Sequence, residues 1–177
     1  MRKLWMPVFA VLLAAGLLLG LYNGLLGLRR AREQAELRTK METLLPGSKV
    51  FTEEVYAGGD ENIRAAYRGE NGYVVATCTQ GYAGPIAMLI GVSDDGTVTG
   101  LQIRDMEETY GLGARALTDV EFLKQFLRSE GDCEVGVNVD AVTGATVTSK
   151  AVARSVNSAV AFVTGADVSS GATEWGG

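Results

Sequence analysis

The hydrophobic pattern begins with a long apolar run at the N-terminus. Residues 4–28 hold no charged side chain, which predicts a helix long enough to cross a hydrocarbon core of about 30 Å. Trp5 and Tyr22 lie near its two ends, where amphipathic rings favour the membrane interface. A cleaved signal peptide is the alternative, but the apolar core is too long for one and no clear Ala-x-Ala site follows. We therefore predict one uncleaved membrane anchor.

After the anchor, the pattern predicts helix and then a series of strands. Helical spacing of apolar residues predicts a helix over residues 31–45, and Pro46-Gly47 ends it. Short runs rich in β-branched and aromatic residues then predict strands, and Ser93-Asp94-Asp95-Gly96 marks a hairpin turn between the last two. The predicted strands are 50–56, 63–67, 73–79, 86–92 and 97–103.

The remaining pattern predicts a strand between two helices, which makes the fold class α+β. Thr118 and Glu121 match a capping box, with Thr118 as the N-cap of a helix. An apolar run over 133–139 predicts a strand. Helical spacing resumes over 148–163, and Gly165 follows as the C-cap of that helix.

Composition narrows the possible chemistry. The chain has 16 basic and 21 acidic residues, a formal net charge of −5, which argues against binding to nucleic acid. It has no His, which excludes Ser-His and Cys-His nucleophile systems and removes the commonest metal ligand. A redox role therefore needs a bound cofactor. Cys78 and Cys133 are interpreted as buried thiols, with a disulfide between them as the alternative.

A turn of small residues before the last predicted helix carries the main functional signal. The sequence over 140–146 is Asp-Ala-Val-Thr-Gly-Ala-Thr. It places hydroxyls and free backbone N–H groups at a helix start, an arrangement that receives a phosphate group. The alternative is that these residues only cap the helix and form the turn.

The motif over 140–146 resembles the flavinylation motif Asp-x-x-(Ser/Thr)-Gly-Ala-Thr of the FMN-binding domain family. This resemblance implies that Thr146 carries covalent FMN through a phosphoester bond. Residues 108–113, Glu-Thr-Tyr-Gly-Leu-Gly, are similar to the Glu-Thr-Pro-Gly-Leu-Gly segment that lines the flavin in the same family, although Tyr110 replaces a Pro that would fix φ. By resemblance, the residues around the phosphate are Thr143, Gly144, Ala145, Thr148 and Ser149, and those around the isoalloxazine are Glu108, Thr109, Gly111, Leu112 and Gly113.

One N-terminal anchor followed by a short domain with both motifs resembles the G subunits of Rnf ion-translocating electron-transport complexes. The resemblance implies an electron-relay protein that is no self-standing catalyst. It implies partners among the other membrane, iron–sulfur and flavin subunits, and a separate flavin transferase for maturation. The whole assembly would pass electrons between ferredoxin and NAD and couple this to Na⁺ or H⁺ transport.

Two alternatives to this function stay open. The first is the C subunit of a Na⁺-translocating NADH:quinone oxidoreductase, which has the same domain but is usually considerably longer. The second is an anchored extracellular binding or scaffold protein without flavin, in which the Thr motif acts only as a helix cap. A third possibility for the site itself is FMN bound without a covalent bond.

The chain carries conflicting signals about membrane orientation. More basic residues follow the apolar run than precede it, and positive-inside counting then favours a cytoplasmic domain. The family resemblance implies the opposite, a single-pass protein of the cell membrane with its domain on the extracytoplasmic side, and we adopt that orientation. The predicted organisation is a transmembrane anchor with a short flank over 1–28, a helical connector over 29–48, an FMN-binding domain over 49–165 and a flexible tail over 166–177.

The C-terminal tail contains a second match to the flavinylation pattern. Residues 167–173 read Asp-Val-Ser-Ser-Gly-Ala-Thr, which would make Thr173 an acceptor. No helical pattern follows this copy, and chain termini are usually poorly ordered. We therefore prefer Thr146 as the acceptor.

Overall fold

The computed structural model describes residues 5–56, 58–108 and 113–166. The chain divides into two compact units, Met1–Thr39 and Lys40–Gly177. Helix α1 spans Trp5–Leu44, so its end from Lys40 onward belongs to the second unit. Within the described residues, no helix combines the length and the apolarity that crossing a membrane requires.

The second unit is built on a five-stranded antiparallel sheet with the strand order β1-β2-β3-β4-β5. Every strand pairs with its neighbour in the chain, because short turns such as the one at Gly96, with φ +87°, reverse the chain direction. All five predicted strands are confirmed, with shifted ends. They are β1 Thr52–Glu54, β2 Ile63–Arg68, β3 Gly72–Gln80, β4 Pro85–Ser93 and β5 Val98–Met106.

The main core lies between one face of this sheet and helix α4, Thr146–Thr164. Alternate residues of a strand point to the same face, so β4 presents a continuous apolar row to the helix. That row is Ile86, Met88, Ile90 and Val92, all fully buried. The α4 side chains that meet the core include Val152, Val156 and Val160, which share one side of the helix at four-residue spacing. The predicted helix and its Gly165 C-cap, with φ +70°, are confirmed.

The end of α1 covers part of the opposite sheet face. Leu44 and Leu45 are buried there, and the Thr99 hydroxyl donates a hydrogen bond to the Leu44 carbonyl oxygen at 2.5 Å. A Cβ added at Gly91 would lie 2.2 Å from that same oxygen, so only glycine allows this close approach of helix end and strand.

The predicted strand over 133–139 is wrong. This segment forms a turn in which only an isolated bridge joins Val135 and Val139. Asn138 explains the difference, because its side chain accepts from the Glu134 N–H at 2.7 Å and donates to the Asp132 carbonyl at 2.7 Å. Such local side-chain bonds satisfy backbone groups that a strand would offer to a neighbour.

The predicted N-cap residue, Thr118, is also wrong. Thr118 ends helix α2, Gly113–Thr118, and its hydroxyl donates back to the Ala114 carbonyl at 3.1 Å. Asp119 caps helix α3, Val120–Lys124, and its carboxylate accepts from the N–H groups of Glu121 and Phe122 at 3.0 and 3.2 Å. Thr118 still belongs to α2, so the next residue, Asp119, supplies the capping side chain of α3.

Both cysteines are free thiols, so the disulfide alternative is wrong, but only Cys133 is buried as predicted and Cys78 is half-buried. Cys133 belongs to the core between the sheet and α4. On β3, Thr79 points to the same side, since its hydroxyl bonds to Ser155 of α4, and Cys78 is the residue just before it. Alternation along the strand therefore points Cys78 to the other sheet face. Burial raises the pKa of the Cys133 thiol, so the reactive thiolate form of this residue is disfavoured.

The core predicts how two adjacent residues respond to truncation. Phe126 is fully buried and packs edge-on against Phe122 at 5.2 Å, whereas Leu127 is 41% exposed. Phe126→Ala should lower the free energy of unfolding by about 3–5 kcal/mol, because it removes apolar contacts and leaves a cavity. Leu127→Ala is the matched control and should cost less than about 1 kcal/mol. Urea unfolding followed by circular dichroism measures both; equal losses would contradict this view of the core.

Candidate functional site

The turn that leads into α4 is held by hydrogen bonds around the Ser149 hydroxyl. Val142 N–H donates to Ser149 Oγ at 3.2 Å, and Ser149 Oγ donates to the Ala145 carbonyl at 2.9 Å. Ala145 N–H in turn donates to the Val142 carbonyl at 2.9 Å, while Gly144 adopts φ +81°, which glycine permits at no steric cost. Ser149 is fully buried, so its hydroxyl serves the turn in this structure.

The start of the Thr motif is fixed by Gln125, which follows helix α3. The Gln125 side-chain oxygen accepts from Asp140 N–H at 2.8 Å, and its amide nitrogen donates to the Asp140 carbonyl at 3.2 Å. One carboxamide thus satisfies both backbone groups of the first motif residue. Sequence reasoning missed Gln125, and no local spacing signals it, since the two residues are 15 positions apart.

Helix α4 begins without a side-chain cap. Its N-cap residue is Ala145, which makes no side-chain capping bond to the N–H groups of the first turn. The first helical bond runs from Ser149 N–H to the Ala145 carbonyl at 2.9 Å. The N–H groups of the first three residues, Thr146 to Thr148, therefore have no partner in the helix itself, as at any helix start. The motif residues therefore form the turn before α4, and the N-cap residue contributes no capping side chain.

Glu108 joins this helix start to the hairpin between β3 and β4. Its carboxylate accepts hydrogen bonds from the N–H groups of Tyr82 and Ala83, at 2.7 and 3.3 Å. The Thr148 hydroxyl donates to the same carboxylate at 3.2 Å. Bonds to an ionised acceptor are stronger than neutral ones, so Glu108 holds the hairpin tip close to the first turn of α4.

Two glycines make room for the Glu108 carboxylate. A Cβ at Gly81 would lie 2.0 Å from one carboxylate oxygen, and a Cβ at Gly113 would lie 2.3 Å from the other. Atoms cannot approach so closely, so a larger residue at either position would displace the carboxylate. Gly113, which the sequence predicts beside the flavin, therefore leaves room for the Glu108 carboxylate.

These segments enclose a pocket of about 330 Å³ at the start of α4. Ligand pockets commonly begin at about this volume. Its lining brings together five of the predicted site residues with two that were not predicted, Tyr82 and Val147. The lining residues are Tyr82, Gly113, Gly144, Ala145, Thr146, Val147 and Thr148.

The remaining predicted residues lie in different places. Thr143 is exposed in the turn outside the lining of this pocket, and Ser149 is buried beneath the turn. Thr109, Gly111 and Leu112 lie outside the described residues, as does Thr173. Thr146 is the first residue of the helix, is exposed, and also lines the pocket.

Similarity to known proteins agrees with this site. The FMN-binding domain family matches residues 81–161, a stretch that starts at the hairpin tip and ends inside α4. The chain is 35% identical over 144 residues to the G subunit of the proton-translocating ferredoxin:NAD⁺ oxidoreductase complex of Clostridium ljungdahlii, and the alignment covers 76% of each chain. The chain belongs to the family of Rnf complex G subunits.

Two further relatives support the same family. The G subunit of the Na⁺-translocating ferredoxin:NAD⁺ oxidoreductase complex of Acetobacterium woodii is 40% identical over 98 residues, covering 50% of this chain and 47% of that protein. The G subunit of the ion-translocating oxidoreductase complex of Methanosarcina acetivorans is 41% identical over 97 residues, covering 52% and 51%. The match thus spans about half the length of these two relatives. Membership of the Rnf G family, inferred from the two motifs, is confirmed.

The Glu108 bridge in this Rnf G family member predicts a local change in backbone protection. Glu108→Ala removes the acceptor of the Tyr82 and Ala83 amides, so their hydrogen exchange should accelerate by about tenfold or more. Glu107→Ala is the matched control, because Glu107 is exposed and alanine keeps the Cβ that packs near Gly84. Exchange followed by mass spectrometry of peptides covering the hairpin measures the effect; unchanged protection in Glu108→Ala would refute the bridge.

Proposed function

We propose that this chain is the electron-relay component of an Rnf-type complex and carries FMN bound covalently to Thr146. The observation that supports this most is the exposed Thr146 hydroxyl at an uncapped helix start, beside a pocket. The family relationship adds weight, since the matched stretch contains the hairpin, Glu108 and the motif. FMN, once attached, supplies the ability to accept electrons and pass them on.

Attachment makes one bond and breaks one. The Thr146 oxygen forms a new P–O bond to the phosphorus of the FMN half of FAD. The bond from this phosphorus to the bridging oxygen of the pyrophosphate breaks, AMP leaves with that oxygen, and the hydroxyl proton is released. A separate flavin transferase runs this step. Thr143, exposed three positions before the acceptor, remains accessible to that enzyme.

The first turn of α4 suits the phosphodiester that results. The helix start carries a partial positive charge and presents free N–H groups, which together favour a phosphate. Gly144 and Ala145 add little bulk next to Thr146, so the phosphate can approach the backbone. In this proposal the phosphate is bound by backbone N–H groups, including that of Thr148. The hydroxyls of Thr148 and Ser149 instead hold Glu108 and the turn.

The isoalloxazine end lies on the hairpin side of the pocket in this proposal. Glu108 and Gly113 lie there, and the family resemblance adds Thr109, Gly111 and Leu112 to the same side. A carboxylate beside the flavin disfavours added negative charge, so Glu108 tunes the reduction potential as well as the geometry. A covalent link suits a carrier that must keep its cofactor outside the cytoplasm.

The partners follow from the family. The other membrane, iron–sulfur and flavin subunits supply and remove the electrons, and the complex couples their passage between ferredoxin and NAD to ion transport. The relatives are G subunits of ferredoxin:NAD⁺ or ion-translocating oxidoreductase complexes, which favours this assembly over the quinone oxidoreductase alternative. A scaffold without flavin is disfavoured by the FMN-binding domain match.

Membrane attachment in this proposal rests on the uncharged sequence over 4–28. The domain lies on the extracytoplasmic side, where the flavin transferase works in this family. The basic residues that follow the run count against this orientation, and assembly with other membrane proteins of the complex is proposed to override that weak charge preference.

The acceptor assignment predicts a mass change that depends on one hydroxyl. Thr146→Ala should lose the whole flavin adduct while keeping the fold, because Thr146 is exposed and contributes no cap. Thr146→Ser keeps a hydroxyl and should retain some adduct, and Thr173→Ala is the control that should retain all of it. Intact-mass spectrometry of acid-precipitated protein from a host with the transferase measures this. An adduct that persists in Thr146→Ala and disappears in Thr173→Ala would overturn the assignment.

The proposed orientation predicts protease sensitivity from one side only. In intact spheroplasts, added protease should digest the domain, and a cytoplasmic marker protein should survive. In inside-out vesicles the domain should be protected. The opposite pattern would show that the charge preference, and not the family resemblance, sets the topology.

A further inference from the structure

Tyr82 has an unusual position for a large aromatic side chain. It lies between β3 and β4, is 70% exposed, and lines the same pocket as Thr146. Exposed apolar residues are common, but an exposed ring inside a pocket adds a flat, apolar surface where a ligand can bind.

The backbone that carries Tyr82 is held in place. Gly81 N–H donates to the Gly84 carbonyl at 2.9 Å, which closes the hairpin turn. Tyr82 N–H donates to the Glu108 carboxylate at 2.7 Å, and Thr148 donates to the same group from α4. Glu108 therefore fixes the main chain of Tyr82 relative to the helix start. A ring with only two side-chain torsions loses little entropy when it packs on a ligand.

No other lining residue of this pocket offers an aromatic surface. The remaining six are glycine, alanine, valine and threonine residues from α2, α4 and the turn before α4. Within the described residues, Tyr82 is therefore the pocket's only partner for stacking on a planar ligand. Its position across from the helix start suits a ligand that has an anionic group at one end and a planar ring at the other.

We propose that the Tyr82 ring stacks on the isoalloxazine of the flavin attached to Thr146. This inference rests on the proposed function and adds a residue to it. Stacking between a planar heterocycle and an aromatic side chain is favourable and tolerates variation in the ring. The contact covers one face of the flavin and holds the ring near the hairpin, so a single covalent bond at the phosphate end does not leave the ring free to rotate.

Flavin fluorescence tests the contact directly. A tyrosine or tryptophan ring in contact with an excited isoalloxazine quenches its emission, because an electron passes to the flavin and returns. Full-length protein is produced with the transferase as wild type, Tyr82→Leu, Tyr82→Trp and Tyr67→Leu. Tyr67 is the matched control, a half-buried tyrosine of β2 that does not line the pocket. Each sample is measured for FMN adduct by intact mass and for fluorescence per bound flavin.

The expected result is a full adduct in all four proteins, with several-fold brighter flavin only in Tyr82→Leu. Tyr82→Trp should stay as dim as wild type, since it keeps an aromatic ring that quenches. Equal fluorescence in Tyr82→Leu and wild type, with the adduct present, overturns the stacking role and leaves the proposed function intact. Loss of the adduct in Tyr82→Leu alone overturns it too, because Tyr82 would then act in attachment. A wild-type chain without any adduct overturns both proposals.

Discussion

The Glu108 carboxylate connects the two segments on which the pocket depends. It accepts two backbone N–H groups from the β3–β4 hairpin and one hydroxyl from α4. Without it, nothing described in the structure bonds Tyr82 to the helix start. Gly81 and Gly113 are constrained by the same group, since a side chain at either would occupy its space. A hydrogen-bonded acid thus determines the shape of a site whose other lining residues are mostly small.

The start of α4 lacks the side-chain cap that stabilises many helices. A Ser, Thr, Asp or Asn cap would add about 1 kcal/mol to a helix, yet the N-cap here is Ala145 and forms no side-chain bond. The helix tolerates this because its other face is deeply buried, with Val152 and Val156 fully inaccessible. The side chains of Ser149 and Gln125 bond to the turn before α4, which fixes the position of the N–H groups in the first turn of the helix. Packing energy along the helix therefore offsets the cost of an uncapped end, whose N–H groups are the ones proposed to bind the phosphate.

The parts of the fold that follow from local periodicity were predicted well. Strands β3, β4 and β5 each span nine residues and α4 spans nineteen, so their alternating or helical patterns extend over several periods. Strands β1 and β2 are shorter and were still predicted. The errors fall where local side-chain hydrogen bonds, which periodicity does not report, decide the structure. Residues 133–139 look apolar enough for a strand, but Asn138 provides local hydrogen bonds that make a turn. Asp119, and not Thr118, is the N-cap of α3. Both residue types occur at N-caps, and only the structure shows that Thr118 still belongs to α2.

The sequence by itself predicted α4 and the family, and its motif of adjacent residues is the basis for proposing Thr146 as the acceptor, because such a motif can be read without knowing how distant parts of the chain fold. By resemblance it also predicted that Glu108 belongs to the flavin site, and this stays a prediction. Only the tertiary structure showed that Glu108 bonds to Tyr82 and Thr148, which are 26 and 40 positions away. Likewise, Gln125 reaches Asp140 and Tyr82 faces the pocket only because the sheet and helices bring them together. Periodicity reports which face a residue occupies on its own element, and it contains no information on which distant backbone group that residue will meet.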